Sequence, residues 1–199
     1  MLVREEIEQQ RRELVSACID DVRALERDLG VTREALAAIA ARVLRLALND
    51  HLFDEVTYPN PAPAERAKLY LLSEDSCGRF PLYLTCSLPG GNVAPHNHTT
   101  WAVVAGLSGQ EQNTLWARVD GGHAPGLAII AKQSEHVIGK GDSLALMPDD
   151  IHSVATPGTV ARRHFHMYGL SLQLLPTRLV YNLAAGTCDL MPGNDKIVR

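Results

Sequence analysis

Two histidines separated by one residue, in Pro95-His96-Asn97-His98-Thr99-Thr100-Trp101, are the side chains in this sequence best suited to chemistry. Residues two apart on a β-strand project to the same face, so His96 and His98 can aim their ring nitrogens at one point. Neutral imidazole binds iron, zinc, copper and nickel, so the pair points to a metal without choosing among them. The alternative is a half-exposed strand on which two polar residues happen to alternate. His152 is a third candidate ligand: it follows the turn Pro148-Asp149-Asp150, where the chain enters a new strand. A lone histidine after a turn also serves as an ordinary surface or capping residue.

Further along comes Arg163-His164-Phe165-His166-Met167-Tyr168-Gly169. Period-2 alternation puts His164, His166 and Tyr168 on one face and Phe165 and Met167 on the other. Such a face is solvated, or it lines a polar cavity, because burying three unbonded polar groups is costly. In a cavity, His166 can orient the Tyr168 hydroxyl. The other histidines, His51, His123 and His136, read as surface or structural residues, and Trp101 as core or pocket wall. Asp149 and Asp150 either bond the second nitrogen of a ligand histidine or belong to a solvated turn.

The elements that position these residues are legible from periodicity. Ile7, Leu14, Cys18, Val22, Leu25 and Leu29 form an apolar stripe on a charged helix over 4–29, with Gly30 beyond its end. Thr32 reads as the N-cap of a second helix running to about Asn49. Pro59-Asn60-Pro61-Ala62-Pro63 breaks the chain. It separates a helical segment, 1–58, packed on the rest, from a β domain, 64–199, within one structural unit. Strands are expected at 68–72, 80–87, 100–107, 113–119, 127–131, 143–147, 163–174 and 178–182. Gly-rich turns join them, the pattern of an all-β sandwich, barrel or jelly roll.

Composition narrows the function classes. The chain has 199 residues, 46% hydrophobic and 21% charged, with a net charge of −4. That charge offers no basic field for nucleic acid. No apolar run approaches the ~20 residues of a membrane span, and Met1-Leu2-Val3-Arg4-Glu5-Glu6 lacks the layout of a signal peptide. Cys18, Cys77, Cys86 and Cys188 are scattered, which suits free thiols in a reducing compartment. A cytoplasmic protein without nucleic-acid or membrane partners is the expectation. Oligomeric state stays open, a homodimer being one arrangement.

Taken together, His96-Asn97-His98 with Thr99-Thr100-Trp101, Gly106 to Gly109, Pro148 to His152, and His166-Met167-Tyr168-Gly169 resemble the cupin superfamily. Within it they resemble the thiol dioxygenases, cysteine dioxygenase and mercaptopropionate dioxygenase. The resemblance spans roughly 69–178. It implies an all-β fold, the cupin double-stranded β-helix or jelly roll, with an N-terminal helical segment. It implies a mononuclear Fe(II) held by His96, His98 and His152, with open positions for a small thiol substrate and O2, and oxidation of the thiol to its sulfinic acid. His166 and Tyr168 would form an outer-sphere relay. Neighbouring cupins carry a glutamate shortly after His-x-His; Thr100 to Val103 occupy that region here, which favours the three-histidine branch.

Three departures from the family pattern stand out. Serine is usual where His164 stands, so His164 could alter the relay, act as an alternative ligand or touch substrate. The cysteine that cross-links to the tyrosine in animal cysteine dioxygenases would fall at Val103. The arginine that binds the cysteine carboxylate would fall near Tyr70, whereas mercaptopropionate-type enzymes use an arginine beyond the tyrosine, for which Arg178 is the nearest candidate. Arg162 and Arg163 are less favoured, since Arg163 alternates away from the His164 face. The leading expectation is therefore a non-haem iron thiol dioxygenase. The alternatives are a cupin hydrolase, lyase or isomerase using another divalent metal, or a non-catalytic cupin that binds a small molecule.

Overall fold

In the computed structural model, which describes residues 4–193 and 197–199, the chain opens with helix α1, Arg4–Leu29, and helix α2, Arg33–Ala47. Gly30 turns between them at φ +67°, where glycine has no Cβ to strain. Thr32 caps α2 by accepting the Ala35 N–H at 3.1 Å. The second helix ends two residues short of the sequence expectation, and Asn49 starts a short 3-10 turn over Asp50–Leu52. Among the described residues no helix is long and apolar enough to cross a membrane.

Thirteen strands follow among the described residues: β1 Ala67–Ser73, β2 Leu82–Ser87, β3 Asn92–His96, β4 Ala102–Ser108, β5 Glu111–Arg118, β6 Gly126–Leu127, β7 Ile130–Ile138, β8 Ser143–Leu146, β9 Ile151–Ala155, β10 Arg162–Tyr168, β11 Leu179–Asn182, β12 Thr187–Leu190 and β13 Ile197–Val198. They form a six-stranded sheet ordered β13-β1-β2-β10-β4-β8 and a seven-stranded sheet ordered β6-β12-β11-β3-β9-β5-β7. Nearly all pairs are antiparallel, β13 on β1 being parallel. Two such sheets facing each other make a double-stranded β-helix, or jelly roll.

The central strands of the six-stranded sheet are buried on both faces; β2 and β4 read as mostly apolar runs, whereas β10 is buried despite alternating polar and apolar residues. One face packs on the helices: Leu84, Cys86, Val103, Phe165 and Met167 meet Leu36, Ile39 and Val43. The other face turns inward: Leu69, Tyr83, Ala102 and Tyr168 look toward the second sheet. Arg163, on the helix face, donates to the carbonyl oxygens of Phe53 (2.7 Å) and Tyr58 (2.8 Å). It thereby ties the segment after α2 to β10. Trp101 donates its indole N–H to Glu26 of α1 at 2.7 Å, and Arg33 at the start of α2 pairs with Asp150 at 3.0 Å.

Several expected strands are displaced. β10 ends at Tyr168 rather than running to residue 174: Leu170 makes only an isolated bridge to Arg79, and the chain then coils into a 3-10 turn over Leu172–Leu174. β3 and β9 are the extended segments expected around His96 and from His152, β12 and β13 fall where no strand was expected, and β5 starts at Glu111, two residues earlier than expected. β7 runs for nine residues along the sheet edge, mostly exposed. Its polar, solvated sequence lacks the apolar alternation that marks a half-buried strand.

Candidate metal centre and the buried network behind it

The three candidate ligands converge. His96 closes β3 and is the cross-strand partner of His152 on β9. The strand stops at His96, so His98 lies just beyond it and not within a strand. The backbone stays extended because Asn97 replaces the next rung of the ladder: its N–H donates to the Leu179 carbonyl at 3.1 Å, and its Oδ1 accepts the Leu179 N–H at 2.8 Å. His98 therefore still projects to the side of His96. Thr99 then breaks away at φ +56°, which is uncommon for a side-chain-bearing residue.

Each ring of the trio is buried, and their candidate donor atoms all lie within 4.8 Å of one another. His98 Nε2 and His152 Nε2 stand 3.4 Å apart. Two nitrogens bound at ~2.1 Å to one ion are separated by ~3.0 Å at a right angle and ~3.4 Å at a tetrahedral angle. Nδ1 of His96 is hydrogen-bonded to the Ala94 carbonyl at 2.9 Å, and Nδ1 of His152 to Asn113 Oδ1 at 2.7 Å. Both partners are acceptors, so these rings carry their proton on Nδ1 and present Nε2 lone pairs to the common point. Burial pushes His96 down to about 4, and burial reinforced by the other imidazoles holds His98 and His152 well below the ordinary histidine value. Neutral, convergent and with no carboxylate among them, the three residues fit a divalent first-row cation.

A cavity of about 420 Å³ opens onto this trio, lined among others by Thr85, Arg162, His166, Tyr168 and Arg178. Tyr168 sits with its ring 5.2 Å from that of His98, and its hydroxyl is 3.3 Å from His166 Nδ1. Burial raises the Tyr168 hydroxyl, so it holds its proton at neutral pH. Arg178, 3% exposed, touches the Pro192 carbonyl at 3.4 Å and leaves its Nε without a partner. Among the described residues it has no carboxylate within ion-pair distance, a buried cation placed to receive an anion.

Two expected site residues lie elsewhere. Tyr70 does not line the cavity: its hydroxyl donates to the Pro59 carbonyl at 2.6 Å and its ring packs on Tyr58. Its neighbour Leu69 takes the inward position, because adjacent residues of β1 face opposite ways. His164 shares the inward face of β10 but lies deeper than the cavity lining, fully buried, with neither ring nitrogen in a hydrogen bond. Val103 also belongs to the helix-facing core; the cross-strand partner of Tyr168 is Ala102. Asp150 spends its carboxylate on the Met147 N–H and Arg33, and the second nitrogen of His152 goes to Asn113.

Sequence reasoning missed Glu111 and Asn113 and set Arg162 aside as a less favoured anchor. Glu111 and Asn113, both fully buried, project from β5 into the space behind the trio, and Arg162 meets them there from β10. Glu111 forms an ion pair with Arg162, stands 3.2 Å from His166 Nε2 and 3.8 Å from His164 Nδ1, and accepts the Asn113 side-chain N–H at 2.9 Å. Arg162 also approaches His166 Nε2, at 3.3 Å. Burial lowers Arg162 to about 10, and burial together with the Arg162 charge holds His166 well below its ordinary value. The alternation that put His164, His166 and Tyr168 on one face also includes Arg162, and a buried face of that kind requires an acidic partner. That requirement was the signal for Glu111.

No family model matches the chain, and no curated relative matches it. Solved structures similar to it include a cupin superfamily protein from Desulfitobacterium hafniense, at 14% identity and TM-score 0.42, over 56% of this chain and 84% of that one. A conserved double-stranded β-helix protein from Klebsiella pneumoniae is 15% identical with TM-score 0.40, over 60% of this chain and 84% of that one. An oxalate oxidase in complex with glycolate is 13% identical with TM-score 0.44, over 59% of this chain and 58% of that one. Such distant likenesses carry no chemistry across, and the double-stranded β-helix stands on the strand order and register of the chain itself.

Proposed function

We propose that the protein is an Fe(II)-dependent thiol dioxygenase acting on a small thiol carboxylate, with His96, His98 and His152 as the iron ligands. The observation that carries this reading is the combination, in one cavity, of an all-imidazole donor set, the His166–Tyr168 pair and the buried Arg178, which has no carboxylate partner among the described residues. Iron, when bound, would supply a centre at which a thiolate and O2 meet. Sulfur loses four electrons and O2 gains four: both oxygen atoms form bonds to sulfur, and the thiol becomes a sulfinic acid.

The chain's own residues bind and orient. Arg178 receives the substrate carboxylate in a buried setting where a charge-assisted bond is strong. Tyr168, held protonated by burial, reaches the thiol end through its hydroxyl, and His166 fixes that hydroxyl from behind. Leu69 and Leu172 supply apolar surface to the lining.

A second reading is favoured by one observation, the buried Glu111–His166 pair, an acid–base couple suited to a hydrolase, lyase or isomerase with Zn²⁺ or another Lewis-acid cation. Oxygen uptake separates the two. The iron-loaded protein should consume O2 with cysteine, mercaptopropionate or mercaptosuccinate and yield one sulfinate per O2. Absence of thiol-dependent uptake, with stoichiometric zinc in protein expressed without added metal, would overturn the dioxygenase reading in favour of the second.

A further inference from the structure

Behind the metal ligands, hydrogen bonds run unbroken from one sheet to the other. Asn113 Oδ1 meets His152 Nδ1 at 2.7 Å, Asn113 Nδ2 donates to Glu111 Oε1 at 2.9 Å, and Glu111 Oε2 faces His166 Nε2 at 3.2 Å. His166 Nδ1 then meets the Tyr168 hydroxyl at 3.3 Å. β5 and β9 belong to the seven-stranded sheet and β10 to the six-stranded one, so this path joins the sheet bearing His96 and His152 to the sheet bearing Tyr168. Glu111 and Asn113 are each 0% exposed, so their polar atoms depend on the partners buried with them.

The chemistry of the groups orients the path. A carboxylate only accepts, so the Asn113 amide must turn its NH2 to Glu111 and its oxygen to His152. His152 then carries its proton on Nδ1, and Nε2 is left free for the cation. At the other end, an unprotonated Nε2 on His166 would set its lone pair against the Glu111 carboxylate. A proton on Nε2 removes that repulsion; Arg162 Nη1, which stands 3.3 Å from the same nitrogen and could only donate to its lone pair, is instead committed to its ion pair with Glu111. With Nε2 protonated, Nδ1 accepts the Tyr168 O–H, and the lone pairs of the tyrosine oxygen face the cavity.

We infer that Glu111, with Asn113, is a positioning residue whose two carboxylate oxygens fix the ring tautomers of the ligand His152 and of His166 together. The inference builds on the proposed site but not on its reaction: a protein that binds metal without consuming O2 could still satisfy it. Long-range ¹H–¹⁵N spectra of the zinc-loaded full chain, labelled at histidine nitrogen, test it. His152 should show its proton on Nδ1 and His166 on Nε2. In the Glu111→Met/Arg162→Met double variant, which removes both charges of a buried pair at once and so preserves packing, His166 should move its proton to Nδ1. Asn113→Leu should leave the His166 tautomer in place and weaken Zn²⁺ binding by roughly 10- to 100-fold. A wild-type His166 protonated on Nδ1 overturns the inference whether or not the double variant folds. So does a folded double variant with an unchanged His166 tautomer and Zn²⁺ affinity.

Discussion

The indole nitrogen of Trp101 donates to Glu26 across 2.7 Å, joining the last turns of α1 to the loop that carries His98. Immediately beyond that helix, Arg33 holds Asp150, whose carboxylate also caps the turn leading to His152. One helical connection thus braces both ligand-bearing loops. Glu26→Ala leaves the buried indole N–H unpaired and should cost about 1–3 kcal/mol in stability. Metal affinity should fall severalfold with it. Thermal unfolding of the metal-free protein and Co²⁺ titration measure the two effects; unchanged Co²⁺ affinity would mean that the barrel alone sets the ligand loops.

Acid should weaken both the fold and the metal site. His96 titrates near 4 in the folded protein because burial disfavours its charged form, whereas an unfolded histidine titrates near 6.5. Between those values the unfolded chain binds more protons, so stability rises with pH and is lost as pH falls from about 6.5 toward 4. His96 alone accounts for about 3 kcal/mol across that window. Urea unfolding of the metal-free protein at pH 7, 5.5 and 4 checks this; the His96→Gln variant should show a shallower dependence.

Removing the Arg178 guanidinium should act on binding. Arg178→Gln is expected to lose about 2 kcal/mol or more with a carboxylate-bearing thiol, which is about 30-fold or more in KM with a smaller change in kcat. Thiols lacking the carboxylate should be nearly indifferent to the substitution. Equal losses for both classes in initial-rate measurements would remove Arg178 from the carboxylate contact.

Tyr168→Phe and His98→Ala should separate orientation from metal binding. The first keeps the ring and the trio and should lower kcat by about 10²-fold or more, the scale of a positioned proton-transfer group, with metal content unchanged. The second removes a ligand and should reduce the metal content of purified protein to background. Metal analysis beside oxygen uptake reads both, and a Tyr168→Phe protein with full turnover would exclude the hydroxyl from the reaction.

The helices were legible in the sequence because a 3.6-residue stripe and a Thr32 cap are local signals. The convergence of His96 and His98 was legible because His-x-His on extended backbone carries its geometry with it, whereas His152 joins them through the pairing of β3 with β9. His98 stayed in register outside its strand through the Asn97 side chain, a contact made with Leu179 far along the chain. Tyr70 was misplaced by a single residue, which on a strand reverses the face. Glu111 escaped notice because β5 was drawn from Asn113, leaving the acid in a turn. Its importance depends on Arg162 and His166 arriving from another sheet, a tertiary fact that no local window contains.

Strand β10 has its polar residues, His164, His166 and Tyr168, on one side and Phe165, Met167 and Arg163 on the other. The wall between the cavity and the helical layer is therefore one backbone thick. Trimming the chain to its barrel would uncover Phe165 and Met167 and strip Arg163 of the Phe53 and Tyr58 carbonyls that satisfy its charge. The helical layer is in this sense the outer lining of the cavity, and a fragment that keeps this wall covered would have to include α2 and the segment through Tyr58.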